Sequence, residues 1–332
     1  MQTYFDVYGL VIEVSSACPE LVEEIRRDFT YFHTPEATGV VHVEMRLMPP
    51  PYDELPALSA AFFTPRNVCF QHATGTYIDY FGQGLAVFNR QTAECIIYGT
   101  EHDLVHEIAY LFMLSTIGQY LDNQGLHRVH ALGVSYHERG ILLLLPSGGG
   151  KSTMALELLR QPGFRLLGED TPLIDRRGRI VPFPLRLGVR PEQKPDIPPQ
   201  HLRTVQRMEF EPKTLIDLEY FHDRLGTTVE PGCILVGERN LGDVASIVPL
   251  AASQALKALI KYVVVGLGVY QGMEFVLERG LWEVVGKGRV AFSRLYNSVR
   301  LLSCAPAYRF VMGRNIDKNR ETLLTFIHRQ FD

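Results

Sequence analysis

The chain has 332 residues, 46% of them hydrophobic and 21% charged, with a formal net charge of −4 at pH 7. That is enough chain for two domains with cores of their own, and the slight acidity argues against a nucleic-acid partner. The five cysteines (Cys18, Cys69, Cys95, Cys233 and Cys304) are scattered, with no Cys-x-x-Cys pair. They read as reduced, mostly buried thiols of a cytoplasmic protein, and a structural zinc site is not expected.

Met1 to Asp6 lack the basic region and apolar core of a signal peptide. Residues 2–14, with Tyr4, Val7, Leu10 and Ile12, predict a strand. Residues 19–29 predict a helix with Leu21, Ile25 and Phe29 on one face, and residues 40–47 another strand, ended by Pro49, Pro50 and Pro51. Short strands at 76–80, 84–89 and 93–98 start a meander. No chemical motif falls in residues 1–100, which read as an N-terminal α+β module.

From residue 101 the character changes. Residues 101–121 predict a long amphipathic helix carrying Val105, Ile108, Leu111, Phe112 and Leu114. Residues 130–136 form a strand, Glu138, Arg139 and Gly140 a turn, and residues 141–145 a continuous aliphatic strand. Pro146, Ser147, Gly148, Gly149, Gly150, Lys151, Ser152 and Thr153 follow, and strong helix formers occupy 154–160. After Pro162 and Gly163, residues 164–170 read as a strand ending in Glu169 and Asp170. A hairpin at 174–180, a proline-rich loop at 191–199, a buried strand at 232–237, helix from about 251, a strand at 308–312 and a closing helix at 317–330 complete the reading. The apolar stretch 262–270 is shorter than the roughly 20 residues a membrane span needs, so no membrane is expected.

The strand, glycine-rich loop and helix start around Lys151 are the context of a phosphate-binding loop. Loop N–H groups and the positive helix end cradle phosphate oxygens, the lysine reaches the β- and γ-phosphates, and the serine hydroxyl binds Mg²⁺. The loop departs from the full pattern at Leu145, which stands where the first glycine is usual. Phosphoryl transfer also needs a carboxylate for the metal and a group to orient the acceptor. Glu169 and Asp170 are the nearest candidates, and their order of roles is open. His130 precedes the strands that lead to the loop. Arg186 and Arg190 could clamp phosphate bidentately, and Lys213 and Arg239 are weaker candidates.

Three stretches carry a resemblance: His130-Ala131; the loop from Gly140 to Thr153; and the run Gly163 to Asp170. They resemble the catalytic domain of bacterial HPr kinase/phosphorylase, and more closely the HPr-kinase-like proteins of peptide-modification gene clusters. The likeness covers roughly residues 100–325. It implies an α/β fold with a P-loop kinase core of the HPr kinase/phosphoenolpyruvate carboxykinase type, here over residues 101–332. It implies ATP and Mg²⁺ as cofactors. Ser147, Gly148, Gly149, Gly150, Lys151, Ser152 and Thr153 would bind the nucleotide. Ser152 and Glu169 would hold the metal, and Asp170, Glu169 and His130 would be catalytic. Arg186 and Arg190 would face the substrate. Family members often form rings or dimers, so a homo-oligomer is allowed for.

The expected function is a kinase that phosphorylates a hydroxyl, on Ser/Thr of a small protein or peptide or on a small molecule. The alternative is a non-catalytic nucleotide-binding accessory protein in peptide modification, favoured by Leu145 and by Glu169 where the family usually has aspartate. The bifunctional kinase/phosphorylase signature is not evident in the C-terminal half, which tells against HPr itself as the substrate.

Overall fold

The computed structural model describes residues 1–332 except 73–74, 147, 190–195, 207, 209–210 and 266–280. Two compact units divide these residues. One takes Met1–Tyr120 and Gly188–Tyr220; the other takes Leu121–Leu187, residues 221–265 and residues 281–332.

The first unit opens with β1 (Gln2–Val7) and β2 (Leu10–Ser16), an antiparallel hairpin rather than one strand. Its two turn residues, Tyr8 and Gly9, have φ of 55° and 96°, the left-handed region that tight hairpins require. The register pairs Val7 with Leu10, so the buried positions switch from odd (Phe5, Val7) to even (Leu10, Ile12, Val14) across the turn. That parity switch is the sequence trace of the reversal.

Helix α1 (Pro19–Asp28) has proline in its first turn and buries Leu21, Val22 and Ile25. Next come β3 (His33–Thr34), β4 (Val41–Leu47), β5 (Ala60–Phe63), β6 (Val68–His72), β7 (Gly75–Asp79), β8 (Gly84–Asn89) and β9 (Glu94–Gly99). With the hairpin they form a nine-stranded sheet ordered β3-β1-β2-β4-β9-β8-β7-β6-β5. Its β2–β4 and β4–β9 pairs are parallel.

Helix α2 (His102–Gln124) is not the one-sided amphipathic helix its sequence predicts. Val105, Ile108, Ala109, Leu111, Phe112 and Met113 point around the axis, and all are buried. It stops at Gly125, whose φ is 75°.

The second unit continues with β10 (His127–Arg128), β11 (Ala131–Tyr136), β12 (Arg139–Leu144), α3 (Lys151–Leu159), β13 (Phe164–Gly168), β14 (Leu173–Ile174) and β15 (Ile180–Val181). A small sheet of β16 (Leu187–Val189), β17 (Leu202–Val205) and β18 (Lys213–Ile216) follows in chain order, and its residues from Gly188 onward belong to the first unit. Then come β19 (Glu230–Arg239), β20 (Ser246–Pro249), α4 (Ala252–Leu259), a π-turn at Ile260–Val264, α5 (Leu281–Cys304), β21 (Ala307–Met312) and α6 (Ile316–Phe331).

The main sheet of this unit is mixed, ordered β13-β11-β12-β19-β21-β20, so the molecule is of the mixed α/β class. Its strand β12 is central, antiparallel to β11 and parallel to β19. Residues Ile141 to Leu145 are all buried, as a strand covered on both faces demands. Leu142 and Leu144 pack with Leu259, Val263 and Leu301 beneath α4, the π-turn and α5. Helix α3 packs on β11 and β13 and against α6. Among the described residues, no helix is long and apolar enough to cross a membrane.

Candidate functional site

The site lies where β12 hands the chain to α3. Gly150 caps the helix with φ of 100° and no side-chain cap bond, so its backbone geometry falls where other residues are strained. A Cβ on Gly149 would sit 2.8 Å from the Pro146 carbonyl oxygen, and the Gly149 N–H donates to that same oxygen at 2.9 Å. The chain is therefore closed tightly on its own backbone at Gly149, where a side chain has no room.

Lys151 follows immediately and is only 5% exposed. Its ammonium donates to the Leu145 carbonyl at 3.0 Å and to Nε2 of His130 at 2.9 Å. It also lies 3.4 Å from Oδ1 of Asp170. Nδ1 of His130 lies 3.2 Å from that same oxygen. A lysine ammonium has only donors, so Nε2 must present a lone pair and the imidazole proton sits on Nδ1. Burial holds the His130 pKa below its ordinary 6.5; Asp170 pulls it up and Lys151 pushes it further down.

The two adjacent acids divide. Asp170, more than a third exposed, takes the lysine–histidine side. Glu169, buried at 8% exposure, turns the other way and accepts from the Ser152 hydroxyl at 2.6 Å. Strand β13 sets this geometry: Gly133 of β11 pairs with Gly168, and the Ala131 N–H donates to the Asp170 carbonyl at 3.2 Å. His130 enters the same frame from the start of β11. Its N–H donates to the Tyr262 carbonyl at 3.1 Å, and the Tyr262 ring lies 5.9 Å from its own.

The structure thus brings His130, Lys151, Ser152, Glu169 and Asp170 together beside Gly148, Gly149 and Gly150. Thr153 is half-buried in the first turn of α3. Ser147 and Arg190 lie outside the described residues, as do positions 191–195 of the proline-rich loop and 266–270 of the apolar stretch. Arg186 is half-buried in the segment between β15 and β16. Lys213 belongs to the first unit, where its side chain covers Gly188.

Of the two weaker candidates, Arg239 is the one the structure brings to the loop. At the end of β19, its Nε and Nη2 donate to the Gly149 carbonyl at 3.3 and 3.0 Å, and its Nη1 to the Gly313 carbonyl at 3.4 Å. It places a second cation behind the loop. Tyr262 had no signal of its own in the sequence, because it opens an apolar run that reads as core.

Among the described residues there is no cluster of three or more His, Cys, Asp or Glu side chains arranged for a metal. Mg²⁺ does not need one, since it usually takes one or two carboxylates and completes its shell with water and phosphate oxygens. The hard oxygens of Ser152 and Glu169, already adjacent, fit that demand. No protein-family model matches the chain, and no curated protein sequence matches it.

Proposed function

We propose that this chain binds ATP with Mg²⁺ at the loop 146–153 and transfers the terminal phosphoryl group to a hydroxyl, on a peptide, a small protein or a small molecule. One observation carries the reading: the two carboxylates that follow β13 serve opposite sides of the lysine-bearing loop, one against Ser152 and the other against Lys151 and His130. A kinase of this type needs that division of labour.

In this reading Lys151 and the loop amides neutralise phosphate charge, and the positive end of α3 adds to the field. Ser152 and Glu169 would hold Mg²⁺, which would supply neutralisation of phosphate charge. Asp170 orients the acceptor hydroxyl and takes its proton as the oxygen–phosphorus bond forms and the bond to the leaving diphosphate breaks. Neutral His130 fixes the lysine ammonium through Nε2. A P-loop kinase core of the HPr-kinase type, and the placement of the protein in the cytoplasm, go with this proposal.

Calorimetry of ATP with Mg²⁺ tests the first half, and it should give saturable binding. No heat of binding by the wild-type chain would overturn the proposal. Tight binding without transfer to any tested hydroxyl would reduce it to a nucleotide-binding accessory role.

A further inference from the structure

Arg294 is the largest fully buried side chain described in this molecule, on α5 at 2% exposure. An interior guanidinium demands partners for its charge and its five N–H donors. Its Nε and Nη2 donate to the two carboxylate oxygens of Asp122 at 3.2 and 2.6 Å, a bidentate pair. Burial raises the Asp122 carboxyl, but bonds from His127 and Arg294 outweigh it and hold it below the usual carboxylate range. The remaining arm reaches backbone: Nη1 donates to the carbonyls of Val263 and Val264 at 3.3 and 3.4 Å.

Those carbonyls belong to the π-turn Ile260–Val264, closed by the Val265 N–H on the Ile260 carbonyl at 2.9 Å. Such turns are rare and frequently sit at functional sites. Here the turn presents Tyr262, whose carbonyl accepts from the His130 N–H and whose ring centroid lies 5.9 Å from that of the imidazole. A chain of direct contacts therefore runs from Asp122 through Arg294, the π-turn and His130 to Lys151.

The neighbouring Ser293, His127 and Asp122 form a second contact series, with His127 Nε2 2.8 Å from the Ser293 hydroxyl and Nδ1 2.9 Å from Asp122. It is not a nucleophilic triad. Ser293 sits inside α5, where the backbone amides are spent on helix bonds and leave no oxyanion donors, and the Asp122 charge is committed to Arg294. The triad-like contacts instead brace the Asp122 end of the chain.

We propose that Arg294 is a positioning residue for the phosphate-loop site: by holding the Val263 and Val264 carbonyls it fixes the π-turn that seats His130, and so fixes the direction of the Lys151 ammonium. The inference rests on the nucleotide reading for its consequence, but not for its geometry.

Long-range ¹⁵N–¹H spectra of the full chain labelled in histidine test the geometry without any nucleotide. The His130 signals are identified by their loss in His130→Gln. The wild type should show one protonated and one bare ring nitrogen. In Arg294→Lys, which cannot span Asp122 and both carbonyls, the two should move to averaged shifts while the His106 signals stay put. Asp122→Asn should do the same and stands in if Arg294→Lys does not fold. Tyr262→Phe, which keeps ring and carbonyl, should leave His130 unchanged. A folded Arg294→Lys or Asp122→Asn chain with wild-type His130 signals overturns the inference.

Binding gives the second arm. Arg294→Lys should weaken ATP binding at least fivefold in the wild-type background and less than twofold in His130→Gln. Equal losses in both would show a general structural effect and overturn it. If the wild type binds no ATP, the nucleotide reading fails and the spectra alone decide this one.

Discussion

The Lys151 ammonium donates to Nε2 of His130 at 2.9 Å, and a histidine that accepts from a lysine must be neutral. The pair reverses the usual assumption about a histidine beside an aspartate. With Asp170 3.2 Å from Nδ1, His130 could be read as half of an ion pair. Burial and the lysine win instead, and the imidazole stays neutral between Asp170 and Lys151.

That neutrality has a pH signature. The His130 pKa lies below 6.5 in the folded chain and near 6.5 in the unfolded one. Below pH 6.5 the unfolded chain therefore binds more protons, so stability contributed by neutral His130 is present above pH 6.5 and is lost as pH falls through the folded value. The wild type should lose thermal stability from about pH 6.5 downward, and His130→Gln should lose less over the same range. Melting curves from pH 7.5 to 5 check this; parallel losses in the two chains would assign the effect to other groups.

Lys151→Ala removes the buried ammonium at the start of α3 that would neutralise phosphate charge in the proposed reading. It should weaken ATP binding by about 1.5–3 kcal/mol, the scale of a hydrogen bond to a charged group. Titration calorimetry of both chains with ATP and Mg²⁺ gives the difference. An unchanged affinity would mean that the ammonium stays with the Leu145 carbonyl and His130 and never reaches phosphate.

Gly150→Ala should damage the same loop through its backbone. At φ of 100° an alanine is strained by roughly 1–2 kcal/mol. The added Cβ would also meet Nη2 of Arg239 at 2.7 Å, but that is the far end of a flexible side chain and can move. The expected result is a modest fall in melting temperature and a larger fall in ATP affinity, as the loop amides and Arg239 shift together. Equal melting temperatures for the two chains would show that the loop relaxes without strain.

How much of this was legible in the sequence depends on whether the signal was local. The strand, loop and helix around Lys151 were, because an aliphatic run, clustered glycines and helix formers each act within a few residues. Strand β13 was legible for the same reason, though it ends at Gly168 and the two acids expected at its end follow it. The assignment of Glu169 to Ser152 and Asp170 to Lys151 was not, since which way two adjacent side chains turn depends on the β11–β13 register. The hairpin at Tyr8 and Gly9 was hidden because Gly9 is its only turn-forming residue and Val7 and Leu10 face one side across it. Tyr262 and Arg294 reach the site through backbone carbonyls, and contacts made by carbonyls leave no mark on residue type.

The first unit contains a buried charge cluster that should carry stability. Asp28, fully buried, accepts from Arg203 and lies 3.0 Å from Nε2 of His106. Asp217 accepts from Arg27 and from Nε of Arg203 at 3.2 Å. Removing one member of such a set leaves a buried charge without compensation, so Asp28→Ala should cost about 3–5 kcal/mol. Urea unfolding measures it. A loss under 1 kcal/mol would mean that water reaches Arg203 once the carboxylate is gone.

Asp170 and Glu169 should separate transfer from metal binding. Asp170 has an exposed carboxylate directed at Lys151 and His130, where it can meet an acceptor hydroxyl; Glu169 is buried on the Ser152 side. Asp170→Asn keeps the shape and removes the charge that would orient and deprotonate the hydroxyl. It should leave ATP affinity within a few-fold and lower transfer by roughly 10²–10⁴, the range for a general base. Glu169→Gln should do the opposite: the amide weakens the hold on a divalent cation, so the Mg²⁺ concentration for half-maximal binding of ATP rises. The two substitutions lie on adjacent residues, so a general disturbance of the β13 end would affect both readouts in both variants. Single-turnover transfer and Mg²⁺ titrations on each chain resolve this. If Asp170→Asn transfers at the wild-type rate, Asp170 is not the base, and its contacts to Lys151 and His130 serve only to hold the loop in place.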